Sequence, residues 1–354
     1  RLDGKSPRRR RSDLVSGRWA DATGKFWPIT IFGYILQMAS VPALALTQNW
    51  QEAAVPIILE RVGKAIRNPP RDVMLSHAAK QVGGYGWVFG IHEAMDQSGA
   101  MVGPLLVAAV LAGNGSYHEA FAVLLLPAIL NLSFVAVARL SYPRPQDLES
   151  SPPNVAGQGL PRLYWVYLIG ASLVAAGFAD FPLIAFHFEK ADVLPGEWIA
   201  VSYAVAMGVS GTASLIFGRL FDRFGFKILI GLTMVTALFA PLVFLGEFWT
   251  SLLGAAIWGI GMGVHESIIP AAVAPMVPIQ RRASAFGLFT AGYGVSWFAG
   301  SALIGILYDF SVPGAIAFCI VAELAAVPIF IWVGRRYDMV VVATPKQRDE
   351  SSSH

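Results

Sequence analysis

"FGRLFDRFGFK" at residues 217–227 organises the reading of this chain, because "SGRWADATGKF" at residues 16–26 repeats it. Both follow G-R-x-x-D-x-x-G. Gly17, Arg18, Asp21 and Gly24 match Gly218, Arg219, Asp222 and Gly225 at an offset of 201 residues. Lys25 and Lys227 add a basic residue to each copy, and Arg223 adds a second to the later one. Two looser pairs keep the same order. Phe89–Gly90 with Gly103 faces Phe286–Gly287 with Gly300, and the surroundings of Gly63 face those of Gly261. A chain built twice from one plan is the simplest account.

Composition states the medium in which that plan folds. Of the residues, 55% are hydrophobic and 14% charged, against about 25% charged in a soluble domain. Mean hydropathy is +0.56. Apolar runs approach the ~20 residues that a helix needs to cross a bilayer. Ten are marked: 27–46, 52–74, 85–112, 118–138, 163–187, 197–218, 226–246, 249–276, 284–308 and 313–334. A barrel would show short alternating segments instead, so the expected class is an all-α polytopic membrane protein. The first 26 residues lack the apolar core of a signal peptide.

Lys and Arg orient the spans. Of 26, Arg61, Lys64 and Arg67 lie deep in the second span and Lys190 lies after the fifth; the other 22 occupy the N-terminal segment, alternate loops with the span ends beside them (Arg71 and Lys227 among these), the linker and the tail. The positive-inside rule makes those segments and both termini cytoplasmic. The expected organisation is a cytoplasmic segment 1–26, a first half 27–140, a Pro/Ser/Gly-rich linker 141–162, a second half 163–336 and a cytoplasmic tail 337–354. Parallel repeats about an axis along the membrane normal are a transporter architecture.

With these residues in view, the chain resembles the major facilitator superfamily. Gly17, Asp21, Gly24 and Lys25 match its loop signature, and Gly218, Asp222, Arg223, Gly225 and Lys227 match the echo, which also carries Arg219. "DQSGAMVGP" (96–104) resembles the glycine-rich fifth helix of its antiporters, and "GKAIRNPPRD" the fourth helix of a bacterial efflux-like branch. The resemblance implies two helical-bundle halves, with about ten of the usual twelve transmembrane helices here and family helices 1 and 2 missing. It implies a multi-pass transporter of the inner membrane, working by alternating access, proton-coupled, exporting, as a monomer. A truncated or sensory, non-transporting relative is the alternative.

The charged run of the second span is the first candidate site. Glu60, Lys64, Arg67 and Arg71 share a helical face, and Arg61, Asn68 and Asp72 lie beside it. A mid-bilayer charge costs roughly 2.5–3.5 kcal/mol, so these residues face protein or water. For Arg67, Arg71 and Asp72, snorkelling at the cytoplasmic interface is an equal reading. Glu60 and Lys64 form an i,i+4 pair. Pro69 and Pro70 deprive the carbonyls of Ala65 and Ile66 of partners, so the helix is expected to kink or end there.

The next candidates are acids and histidines. His92, Asp96, Gly99 and Gly103 share a face of the third span, with Glu93 beside it. Asp96 and then Glu93 are candidates for proton or substrate coupling, with His92 among the partners of the second-span cations. A fixed ion-pair network is an equal reading, and the two are compatible if the network opens in one state. Gly99, Gly103 and Pro104 are assigned to helix packing. In the second half, Asp180 lies within a span, and His265 with Glu266 forms a possible relay before Pro270. The loop glycines permit tight turns; Asp21 or Asp222 would cap the following helix or pair with an Arg across the halves.

Other chemistry is unsupported. The chain has no phosphate-binding G-x-x-x-x-G-K-[ST], which argues against ATP-driven pumping. Its single Cys319, inside an apolar run, builds no metal set or disulfide. No metal, cofactor or nucleic acid is expected; the expected partners are a small solute, protons and lipid. The dispersed charges argue against an intramembrane enzyme.

Overall fold

The computed structural model describes residues 26–145 and 159–343, and among them every regular element is helical. Gly17, Arg18, Asp21, Gly24 and Lys25 lie outside the described residues. The helices are α1 Phe26–Ala43, α2 Trp50–Val82, α3 Tyr85–Ala112, α4 Tyr117–Val123 and α5 Leu125–Ser141, then α6 Arg162–Gly177, α7 Phe181–Lys190, α8 Gly196–Phe224, α9 Phe226–Thr236 and α10 Phe239–Phe244, then α11 Phe248–Gly263, α12 Ile269–Ala271, α13 Arg282–Phe310 and α14 Val312–Ala343. Nine helical stretches among the described residues are long and apolar enough to cross a membrane.

α2 falls outside those nine because of its charges. It is nonetheless a helix of 33 residues. Asn49 starts it, accepting the Glu52 amide at 2.9 Å, while Glu52 accepts the Gln48 amide at 2.8 Å. The expected break at Pro69–Pro70 does not end the helix, which runs on to Val82. Packing explains this. Arg67, Pro69, Pro70 and Asp72 are buried, and α2 lies against α1, α3 and α13. Tertiary contact outweighs two missing N–H donors.

The loops alternate between two ends. Gly83–Gly84, Gly225 and residues 278–281 turn the chain at one end, with Arg219, Arg223, Lys227 and Arg281 nearby. This is the basic end. Residues 47–49, 113–116, 191–195 and 245–247 turn it at the far end. Gly83 and Gly84 hold φ of +126° and +138°, a region that favours glycine, and so allow α2 to reverse directly into α3.

Helices α1–α5 and α6–α14 meet mainly where α3 crosses α8 and α2 meets α13. One apolar core spans both groups, joining Phe26, Val73 and Phe89 to Tyr167, Phe286 and Phe330. A second core, around Phe178, Phe239 and Trp258, draws its buried members from α6–α14 and their connections. Cys319 is buried within it.

Two expected spans are interrupted. Between α6 and α7 the helix opens at Phe178–Asp180. The indole N–H of Trp258 donates to the Ala179 carbonyl at 2.8 Å, and that of Trp297 donates to Asp180 Oδ1 at 2.8 Å. Irregular backbone at membrane depth is tolerated when protein satisfies it in this way. After α11 the chain widens into a π turn at Val264–Ile268. Such turns are frequent at functional sites.

Candidate functional site

The basic end is where the two helix groups are locked. α3 and α8 cross so closely that their backbones touch. A Cβ added to Gly86 would strike the Gly218 carbonyl oxygen, and one on Gly90 would strike that of Ser214. Ser214 Oγ also donates to the Gly90 carbonyl at 3.1 Å. Asp222 finishes the lock. Its carboxylate accepts the backbone amides of Gly86 at 2.8 Å and Trp87 at 2.7 Å. Those are orphan donors at the start of α3, where the helix dipole favours an anion. Asp222 therefore caps the facing helix, neither the following helix nor an Arg as the sequence suggested. Arg219 adds its guanidinium 4.0 Å above the Trp87 ring.

Arg282, between the expected spans 249–276 and 284–308, is buried here. It donates to Ser76 Oγ at 3.3 Å, Tyr85 Oη at 3.1 Å and the Ala274 carbonyl at 3.2 Å. Phe89 stacks on Phe286 with centroids 6.1 Å apart. Only its place before an apolar helix hinted at Arg282 in the sequence. Replacing Asp222 with Ala removes the cap, at about 0.5–2 kcal/mol. The expected result is faster labelling of a Ser214→Cys reporter from the basic side, by roughly two- to thirtyfold. Labelling at the wild-type rate would show that the cap does not hold the halves.

Toward the far end the contacts stop. Met101 Sδ lies 3.8 Å from where a Cβ of Gly208 would sit, while Gly99 and Gly103 would meet nothing within 4 Å. The assignment of Gly99 and Gly103 to helix packing is therefore corrected. Both line an open groove with Ala100, Val107 and Tyr117; the side chain of Pro104 lies outside the described residues. The close-packing glycines are Gly84, Gly86 and Gly90. α2 follows the same gradient, with Val55, Ile57, Ile58 and Val62 exposed and its C-terminal half largely buried.

Between the lock and the open end lies a charged cleft. On α2, Arg67 is 4% exposed. It donates to Gln37 Oε1 and, at 3.1 Å, to Tyr34 Oη, and its guanidinium stands 4.5 Å from the Tyr34 ring. Gly33 and Gly63 make this possible, since a Cβ on Gly33 would sit 2.7 Å from Arg67 Cβ and 2.9 Å from the Gly63 carbonyl. Gln37 in turn donates to Glu60 at 3.2 Å, and Glu60 pairs with Arg61 at 3.3 Å rather than with Lys64. Arg71 pairs with its neighbour Asp72 at 2.6 Å. The hydrogen-bond partners of the α2 cations thus sit on α1 and on α2 itself, not on α3 as expected. Tyr34 and Gln37 were invisible to a search for opposite charges.

The α3 residues meet those cations only at longer range. The charges of Lys64, Arg67 and Arg71 act on His92, and that of Asp96 acts on Arg67 and Arg71. Glu93 is 2% exposed and accepts from Gln97, one turn along α3. Asp96 is exposed to the open side. From the other group, the π turn brings Glu266 into the same field, where its charge acts on Glu93 and Asp72. Asp180 does not join them, being held by Trp297. His265 points away from the cleft into aromatic packing, its ring 4.2 Å from Phe178 and 5.4 Å from Trp297. Among the described residues no group of His, Cys, Asp and Glu is placed to hold a metal ion.

Comparison with known proteins agrees with this architecture. A family model described as Major Facilitator Superfamily matches residues 163–352. An uncharacterised protein of Mycobacterium tuberculosis is 38% identical over 320 residues, covering 88% of this chain and 78% of its own. An uncharacterised transporter of the same type from Methanocaldococcus jannaschii is 24% identical over 312 residues, covering 84% and 76%. Among solved structures, a bacterial homologue of the iron transporter ferroportin in an outward-facing state superposes with a TM-score of 0.67 at 15% identity, covering 91% of this chain and 86% of its own. A human organic anion transporter gives 0.66 at 12% identity, covering 91% and 79%. The E. coli fucose:proton symporter gives 0.62 at 15% identity, covering 91% and 86%. At such identities the structures speak for the fold alone.

Proposed function

The chain belongs to the major facilitator superfamily, a family of membrane transporters, and from that premise we propose that it is a proton-coupled secondary transporter of a small solute, a carrier rather than an enzyme. The basic end is cytoplasmic by the positive-inside rule, in the inner membrane, with both termini on that side. The locked state is then outward-facing. The moving units are the halves 27–140 and 163–336, rocking about the cleft. Export is the direction suggested by "DQSGAMVGP" at 96–104.

One observation carries the coupling. Buried Glu93 on α3 and Glu266 on the π turn packed against it come from opposite halves and lie within reach of each other's charge, and Glu266 acts on Asp72 as well. Two acids that feel each other and nearby cations exchange a proton as the halves separate or a solute enters. Proton coupling in the structurally similar fucose carrier belongs to that protein; here it rests on this pair. Asp96, on the open side, is the entry residue for solute or proton. The Arg71–Asp72 pair and the Arg67 network fix the floor of the cleft.

Reconstitution into liposomes loaded with a pH-sensitive dye tests the proposal. A panel of organic cations, anions and neutral solutes is applied with and without a pH gradient. The expected result is a solute whose addition changes luminal pH in wild type. In Glu93→Gln that change falls by roughly 10²-fold or more, the scale of a lost proton-transfer group. Solute flux that ignores the gradient and survives Glu93→Gln would overturn proton coupling while leaving a carrier.

A further inference from the structure

Glu323 lies far from the cleft residues discussed above, on α14 in the apolar stretch "VAELAAVP". It is 0% exposed. Its Oε2 lies 2.8 Å from Thr236 Oγ1 on α9, and its Oε1 has no hydrogen-bond partner. α6 walls it in, with Gly177 so close that a Cβ there would meet Glu323 Cγ at 3.2 Å. No Lys or Arg of the described residues sets its charge against it. An ionised carboxylate with one bare oxygen in such a place is costly.

The hydroxyl of Thr236 can serve either protonation state. It stands within reach of two acceptors, Glu323 Oε2 at 2.8 Å and the Thr233 carbonyl at 3.2 Å, and that carbonyl also accepts the Ala237 amide at 3.2 Å. A hydroxyl has one proton to give. An ionised Glu323 takes it and still buries a charge with Oε1 bare. A protonated Glu323 donates to Thr236 Oγ1, Thr236 donates to Thr233, and no charge is buried.

Two further unpartnered groups lie between Glu323 and the cleft. The Tyr293 hydroxyl on α13 is buried without a partner, and the charges of both Glu323 and Glu266 act on it. Both ring nitrogens of His265, on the π turn, are buried without partners, and its ring lies 6.0 Å from that of Tyr293. The titratable groups that face this region are thus Cys319 on α14 itself, His265 and Glu266 on the π turn, and Tyr293 on α13; Thr233 and Thr236 face it from α9. We propose that Glu323 is a second proton-binding site, a neutral carboxylic acid that exchanges its proton with Glu266 through Tyr293 and His265 when movement of the helices brings these groups, unbonded here, within hydrogen-bond reach. In that exchange Glu266 gains the proton that Glu323 loses, and the two intermediates end as they began. The site stands apart from coupling at Glu93: a failure there shows in solute-driven pH change, a failure here in the carboxyl spectrum.

Infrared spectroscopy of the purified protein in lipid reads it out. The expected result is a carbonyl band of a protonated, buried carboxyl group that disappears in Glu323→Gln and persists in Glu93→Gln. Thr236→Val, which removes the acceptor, should move that band to higher frequency even if Glu323→Gln folds poorly. In deuterated buffer, Tyr293→Phe should slow its isotope shift by roughly tenfold or more. A spectrum unchanged by both Glu323→Gln and Thr236→Val overturns the site, and an isotope shift unchanged by Tyr293→Phe and His265→Gln overturns the path.

Discussion

Gly218→Val is expected to prevent the basic end from closing. The added Cβ would lie on the Gly86 carbonyl oxygen and 3.0 Å from its carbon. Both are backbone atoms of α3, which cannot rotate aside as a side chain would. Overpacking of this kind costs about 1–3 kcal/mol. The cost falls only on the closed state, so the equilibrium between closed and open shifts by roughly one to two decades. A Ser214→Cys reporter measures the shift, because Ser214 is 1% exposed in the closed interface and the native Cys319 is fully buried. Labelling by a membrane-impermeant maleimide from the basic side should rise by roughly 5- to 150-fold. Gly231→Val is the control, since an added Cβ at Gly231 meets nothing within 4 Å. Equal labelling in wild type and Gly218→Val would mean that this crossing does not set the closed state.

Arg67→Leu carries the largest expected loss of stability. Arg67 and Arg61 lie on one helix, six residues apart, and the sequence places Arg61 the deeper of the two in the span. The structure separates them: Arg67 is 4% exposed, whereas the Arg61 side chain is 75% exposed. Removing the Arg67 guanidinium strips Gln37 and Tyr34 of their donor and leaves Asp72 with Arg71 alone. Each buried hydrogen bond to a charged group contributes about 1.5–3 kcal/mol. The thermal midpoint in detergent should fall by roughly 5–10 °C. Arg67→Lys should recover only part of it, because an ammonium lacks the planar fork that meets two partners. Arg61→Leu should change stability by less than about 0.5 kcal/mol, as a surface substitution does. Similar midpoints for Arg67→Leu and Arg61→Leu would refute the network.

The membrane class, the helical spans and the loop repeat were legible because they depend on local composition and spacing. Burial in lipid selects long apolar helices, and a motif duplicated at a fixed offset needs no geometry to be seen. The α2 charges also announced themselves, since their cost in lipid drives them toward protein or water. Their partners did not. Gln37 and Tyr34 are uncharged, and the glycines that admit Arg67 to them, Gly33 and Gly63, belong to different helices. Glu323 sat in an apolar run with no local sign that Thr236, 87 positions away, was its neighbour.

The same division runs through the lock. Asp222 in its motif was marked by the sequence, and its carboxylate had to accept something. That it accepts the amides of Gly86 and Trp87, 136 and 135 positions away, is decided by how α8 crosses α3. Residue types and their local spacing determined the medium, the spans and which side chains were under strain. Only the tertiary structure determined which helix each strained group would meet, because that depends on backbone approach between segments far apart in the chain.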